Sequence, residues 1–303
     1  MKRIKFLSLV LAMTLLAGIL TGCSKSGENT GGDSTADTST AGADGENSSV
    51  KGGNSLDDIK AKGKIRIGVF SDKPPFGYVD IDGENQGYDV YIAKRFAKDL
   101  LGDENAVEFV LVEAANRVEF LETNKVDIIM ANFTVTPERE EKVDFAKPYM
   151  KVSLGVVSPS ENPITDVSQL EGEKLIVNKG TTAEIYFEEN YPDIELLKYD
   201  QNTEAFSALT DGRGAALSHD NTLVFAWAKD NADFVVGIDS LGEQDAIAPA
   251  VKKGNTELLE WINDEIAKLG DEQFMHEAYD ATLKNAFSDD IDPETVVIEG
   301  GQW

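Results

Sequence analysis

Cysteine is almost absent from this 303-residue chain: Cys23 is the only one. A disulfide within the chain is therefore excluded, and stability must come from core packing, for which the length suffices. Histidine is nearly as scarce, with two residues, His219 and His276. No Cys/His spacing reads as a metal site, and no glycine-rich loop reads as a phosphate cradle. No cofactor is expected. Basic residues are short as well, 28 against 55 acidic, which gives a formal net charge of −27 and a pI near 4.3. A chain this acidic does not bind nucleic acid electrostatically. The charge is spread along the sequence, so its simplest meaning is solubility. Past the first 22 residues, no apolar run is long enough to span a bilayer.

Residues 1–22 read as a targeting segment. Lys2, Arg3 and Lys5 precede an almost wholly apolar stretch, Phe6 to Leu20. That stretch is too short for a transmembrane helix and has the layout of a secretory signal. Leu20-Thr21-Gly22-Cys23 looks like a bacterial lipobox, in which the Cys23 thiol is lipidated and becomes the new N-terminus. An ordinary signal peptide with an incidental cysteine is the alternative. Loss of the three basic leader residues takes the formal charge from −27 to −30. Residues 23–55 hold the anchor cysteine and then Ser, Thr, Gly, Asp, Asn and Ala with almost nothing to bury. This composition predicts a flexible tether that holds a folded domain off a membrane.

From residue 56 strand and helix patterns alternate. Lys64 to Phe70 reads as a short apolar strand ended by the Pro74-Pro75 turn. Asp82-Gly83 reads as a hairpin tip. Tyr88 to Leu101 is an amphipathic helix with Ala93, Phe96, Ala97, Leu100 and Leu101 on one face. Val107 to Val112, a helix from Asn116 to Lys125 and a strand at Val126 to Ala131 complete a βαβαβ series, which implies a parallel sheet covered by helices. After the extended run Tyr149 to Pro159 the same grammar restarts. It gives strands at Lys174–Asn178, Ile194–Tyr199, Ala215–Ser218 and Phe234–Ile238, with helices between them. Leu258, Ile262, Ile266 and Leu269 then recur at helical spacing in a C-terminal helical region that could cover either half. The expected architecture is α/β with two lobes.

Ligands in open α/β sheets sit at strand ends. Four strand-end segments stand out: Ser71–Phe76, Asn132–Arg139, Asn178–Thr182 and Ser218–Asp220. In the second, Thr136 and Pro137 form a helix start, with a hydroxyl at the cap and proline in the first turn. Arg139 is then a cation facing the positive end of a helix dipole. A bound carboxylate would compensate it, because the guanidinium fork matches two oxygens; a surface Arg paired with a neighbouring Glu is the plain alternative. Arg139 with Asp220 is the minimal kit for a zwitterion. Unpaired burial of either is costly, so the site is expected to stay open to water until ligand between the lobes favours closure. His219 beside Asp220 suggests a dyad fragment, but neighbours on a strand point to opposite faces, which favours a core or pocket-edge histidine. A plain helix cap is the alternative reading of Thr181 and Thr182.

On these segments the chain resembles the extracellular solute-binding proteins of family 3, receptors of polar amino acid ABC transporters. The resemblance covers roughly residues 56 to 285. It is carried by Gly68 to Phe76, Gly87-Tyr88-Asp89-Val90, Thr134 to Arg139, Val143 to Tyr149, Lys179 to Thr182 and Ile247 to Asn255. Val112 to Leu121 and Ala216 to Asn221 look like the cysteine-binding lipoproteins within that family. The resemblance implies a type II periplasmic-binding-protein-like fold with a ligand cleft between lobes and two hinge strands. The first lobe would hold residues 56–152 and 246–303, and the second 153–245. It implies that Arg139 clamps an α-carboxylate with Thr134 and Thr182 or Thr181, and that Asp220 takes the α-ammonium beside the Asn132 carbonyl. Arg117 would order the pocket floor or face a cysteine sulfur, in part as thiolate. Lys73 stands where many relatives place an aromatic lid, so Phe76, Tyr78 or Phe133 is expected to stack on the ligand. Phe70 stands where an acid is common.

The implied function is non-enzymatic. A lipid-anchored monomer on the extracytoplasmic face would deliver an amino acid, L-cysteine first, to ABC permease and ATPase subunits. An Asp/Glu receptor is the alternative. A cyclohexadienyl dehydratase-type enzyme or a surface antigen or adhesin on the same fold is a more distant one.

Overall fold

The computed structural model describes residues 54–289 and 291–303. The leader, Cys23 and nearly all of the tether lie outside the described residues. The first described helix, α1 (Leu56–Lys62), starts from a Ser55–Asp58 capping box and stops at Gly63, which takes the left-handed conformation. Strand β1 (Ile65–Val69) follows, then a three-stranded ribbon: β2 (Asp72–Lys73), β3 (Gly77–Val79) and β4 (Asn85–Gln86). The Asp82-Gly83 turn joins the last two, with Gly83 at φ +84°. Helix α2 (Tyr88–Leu101) buries Ala93, Phe96 and Ala97, as its periodicity predicts. Next come β5 (Val107–Leu111), α3 (Arg117–Glu122), β6 (Ile128–Ile129), α4 (Pro137–Glu140) and β7 (Val143–Phe145).

The chain then leaves this sheet along β8 (Met150–Pro159). The second sheet adds β9 (Lys174–Asn178), α5 (Thr182–Asn190), β10 (Glu195–Tyr199), α6 (Asn202–Thr210), β11 (Ala216–Asp220), α7 (Asn221–Asp230) and β12 (Phe234–Ile247). Strand β13 (Ala250–Lys252) returns to the first sheet, and α8 (Thr256–Asp271) and α9 (Phe274–Thr282) follow.

The sheet orders are β5-β1-β6-β13-β7 and β10-β9-β11-β8-β12. Neither sheet is wholly parallel, contrary to the simplest reading of the βαβ grammar. β13 runs antiparallel to β6 and β7, and β8 antiparallel to β11 and β12. Both reversed strands begin just after the chain has passed from one sheet to the other, so neither enters through a right-handed βαβ crossover. β12 continues nine residues past the expected end at Ile238, because β8 offers it a partner, with register shifts, as far as Met150.

The terminal helices pack on the first lobe. Phe274 stacks on Tyr91 at 5.6 Å, Trp261 meets Phe96 edge-on at 5.9 Å, and the Tyr88 hydroxyl donates to the Met275 carbonyl. Leu258, Ile262, Ile266 and Leu269 are all fully buried in that contact. Lys229 of α7 ties the tail to the second lobe through the carbonyls of Asn285 and Phe287.

Candidate functional site

The four strand-end segments converge. β1 runs into Phe70–Phe76, β6 into Asn132–Arg139, β9 into Asn178–Thr182, and β11 ends on Asp220. Together they line one small cavity with Phe70, Lys73, Ala114, Arg117, Asn132, Thr134, Arg139, Thr181, Thr182, His219 and Asp220 on its wall. About 10 Å³ of it is open to the centre of a water molecule, roughly the least that holds one water. The site is shut, not open to water as the charge argument had it, and the reason is Lys73.

The Lys73 ammonium lies 2.8 Å from Asp220 Oδ2, with the two residues 1% and 4% exposed. Pro74 holds Lys73 extended, and the ring of Phe70 lies 5.3 Å below the ammonium. Burial alone would raise the Asp220 carboxyl; Lys73 and His219 override it and hold that group well below the usual carboxylate range. Burial pushes the Lys73 ammonium down, and Asp220 opposes the shift. Asn132 Nδ2 donates to the same Oδ2 at 2.6 Å. Oδ1 receives no hydrogen bond from the described residues. Nor does Asn132 Oδ1, a buried acceptor without a partner.

Arg117 and Arg139 have no carboxylate within ion-pair distance among the described residues. They are satisfied by backbone instead. Arg139 donates to the carbonyls of Thr134 at 2.7 Å and Gly180 at 2.9 Å. Arg117 donates to Ala114, Ala131, Asn132 and Gly180 at 2.9–3.1 Å. Both guanidinium groups lie on the Phe133 ring, at 4.4 and 4.9 Å from its centroid. Burial lowers both, Arg117 further because Arg139 is beside it, and Arg139 to about 10. An arginine with that value is still charged at neutral pH.

Local sequence explains the placement. Thr136 caps α4 by accepting the Arg139 N–H, and Pro137 fills the first turn. Gly180 has φ +72°, and a Cβ there would stand 2.5 Å from Ala115 Cα, so only glycine lets its carbonyl reach both arginines. Asn132 also has positive φ, +45°. Its N–H is held by Asp89 Oδ2 at 2.8 Å, and Asp89 Oδ1 accepts the Tyr149 hydroxyl at 2.6 Å. Burial raises the Asp89 carboxyl to about 7 against these bonds.

Several expectations need correction. Phe76, Phe133 and Tyr78 do not line the cavity. Phe76 is fully buried in the first core, Phe133 lies beneath the arginines, and Tyr78 pairs with Asp72 in the ribbon. The Asn132 carbonyl is taken by Arg117, and it is the Asn132 side chain that meets Asp220. His219 and Asp220 both face the cavity, because strand alternation ends at Asp220, the N-cap of α7. The His219 Nδ1 accepts the Asp220 N–H at 2.7 Å, and burial, with Lys73 beside it, lowers this ring's pKa. The Thr181 hydroxyl is spent on capping α5 and on the Asn178 carbonyl. Phe70, Lys73 and Asp89 were not assigned. The proline after Lys73 and the Gly-Tyr-Asp-Val motif around Asp89 were the available signals.

A larger groove of about 410 Å³ lies nearby, lined by Pro74, Pro75, Phe206, Leu223, Trp227 and neighbours. It is mainly apolar and holds none of the arginines or Asp220. Among the described residues no cluster of His, Cys, Asp and Glu could hold a metal, and no helix is long and apolar enough to cross a membrane.

The model of the bacterial extracellular solute-binding proteins, family 3, matches residues 65–284. The chain is 33% identical to the ABC transporter glutamine-binding protein GlnH of Bacillus subtilis, over 80% of this chain and 89% of that protein. It superposes on the crystal structure of the cysteine-binding protein from Campylobacter jejuni with a TM-score of 0.80 and 65% identity, over 80% of this chain and 98% of that one. The solute receptor for L-cysteine of Neisseria gonorrhoeae gives 0.80 and 58%, over 81% and 100%. With two mixed sheets, a shut cavity between them and this match over most of its length, the chain belongs to the bacterial extracellular solute-binding proteins of family 3.

Proposed function

We propose that this chain is the substrate-binding lipoprotein of an ABC importer and that it captures L-cysteine between its lobes. The observation that carries the reading is Arg139 facing Asp220 across one small cavity, a guanidinium with no acid partner among the described residues and an ionised carboxylate. Arg139 and the Thr134 hydroxyl take the α-carboxylate. Asp220, through Oδ1, takes the α-ammonium with Asn132 Oδ1 as second acceptor. Lys73 must yield room, so the ligand enters an opened cleft and leaves by the same motion. Chemistry is not part of the function.

Three cations, Lys73, Arg117 and Arg139, stand against Asp220 and Asp89, whose carboxyl burial raises to about 7. That imbalance favours a ligand with a second negative centre. The two cysteine-binding relatives at 65% and 58% identity support cysteine as that ligand, with its thiol drawn toward thiolate by Arg117. The same imbalance supports an acidic amino acid as the second reading. Lipidation of Cys23 anchors the receptor to the outer side of a membrane; mass spectrometry of the N-terminal peptide finding Cys23 unmodified would overturn that part.

Titration calorimetry under reducing conditions against all amino acids tests the ligand. L-cysteine binds, Asp and Glu bind weakly or not at all, and Arg139→Ala abolishes binding with the fold intact. Unchanged affinity in Arg139→Ala refutes the carboxylate clamp, and Asp or Glu as tightest ligand replaces cysteine.

A further inference from the structure

Helix α6 begins without a cap of its own. Gln201, at its N-cap, makes no side-chain bond to the first turn. Ser55, Thr136 and Thr181 do cap α1, α4 and α5 from within the same chain segment. The missing bonds come from the other lobe. Asp72 Oδ2 accepts the Thr203 N–H at 3.1 Å and the Thr203 hydroxyl at 3.3 Å, and Oδ1 accepts Asn202 Nδ2 at 3.0 Å. A carboxylate there also meets the positive end of the helix dipole.

Asp72 is not on the wall of the charged cavity; it faces the apolar groove. Its neighbour Lys73 reaches Asp220. Both links therefore start from the two residues of β2, held in register by β3 (Asp72 opposite Tyr78, Lys73 opposite Gly77), and both end in the second lobe. Opening the cleft breaks them together.

We propose that Asp72 is a closure latch: it caps α6 across the cleft, so the second lobe gains its missing helix cap only while the lobes are shut. It is a positioning residue that slows release without touching the ligand. This rests on the reading that an amino acid binds between the lobes. Removal of an N-cap acceptor commonly shifts an equilibrium by about fivefold, and asparagine caps nearly as well as aspartate.

The test uses the mature chain with L-cysteine as probe, followed by stopped-flow. Asp72→Ala releases L-cysteine about fivefold faster, with the association rate unchanged, while Asp72→Asn stays within about twofold of the parent. Adding Gln201→Ser gives α6 a cap of its own and separates helix stability from closure: release stays fast in the double variant. The parent rate in Asp72→Ala, or recovery in the double variant, overturns the latch. Small-angle scattering without amino acid gives a reading that does not depend on the ligand. Asp72→Ala has the larger radius of gyration, and superposable curves refute the proposal. Failure of the parent to bind any amino acid would fall on the functional reading, with the scattering arm still deciding the latch.

Discussion

The Lys73–Asp220 pair sets the energetics of the site, and a double-mutant cycle measures it. At 2.8 Å, two unit charges at an effective dielectric constant of about 20 attract by roughly 6 kcal/mol. Taking both out of water costs several kcal/mol per ion, so the pair's net worth is small. Removal of one member is different, because the other stays buried alone. Asp220→Asn is expected to cost about 3–5 kcal/mol, and Lys73→Met a similar amount. Lys73 can shed its proton when orphaned, which places Asp220→Asn toward the lower end. The double variant, with no buried charge at this spot, should cost no more than either single variant, so the coupling is at least about 3 kcal/mol. In melting temperature each single variant falls by roughly 10 °C, at about 2–4 °C per kcal/mol for a protein of this size. Scanning calorimetry without amino acid reads all four corners. Simple additivity, with coupling under about 0.5 kcal/mol, would mean that the two charges are solvated and do not hold the lobes.

Gly180→Ala puts a Cβ 2.5 Å from Ala115 Cα at a left-handed backbone position; the lobes cannot shut, and calorimetry should show at least a roughly tenfold weaker L-cysteine complex. Asp89 carries a pH signature. Its carboxyl sits near 7 in the folded chain against 3.8 normally, so the folded form holds a proton that the unfolded form has lost. Stability from this group therefore falls as pH rises from about 4 to 7, by up to about 4 kcal/mol. Urea midpoints at pH 5 and pH 7.5 compared between the parent and Asp89→Asn read it, and equal pH slopes would refute the buried-acid assignment. Arg117→Met should leave binding of the amino acid backbone in place but erase preference for cysteine over serine; retained preference in competition calorimetry would remove Arg117 from side-chain reading.

The lobes were legible because each strand carries its own ending. Pro74-Pro75, Thr136-Pro137 and the Thr181 cap mark where β1, β6 and β9 give way, and the ends that line the cavity follow from that. The two reversed strands were not legible, since strand direction depends on which sheet the chain enters and no local residue encodes it. Arg139 could be found from its conflict with the α4 dipole. Lys73 was harder, because its partner Asp220 lies 147 positions away and the proline after Lys73 marks a turn without announcing a buried ammonium. The aromatic positions failed for a related reason. Phe133 alternates with the cavity residues Asn132 and Thr134 in sequence, but a phenyl ring beside two guanidinium groups serves them best from below, where it is dry.

Gly180 offers its carbonyl to both Arg117 and Arg139. The second lobe thus grips the paired guanidinium groups with a main-chain atom, which a replacement can remove only by displacing the Gly180 backbone. Drift in the surrounding sequence would leave this grip in place as long as the turn keeps its shape. Scanning mutagenesis of that lobe would meet it only at Gly180 itself, whereas a single-residue deletion anywhere between Asn178 and Thr182 would sever it.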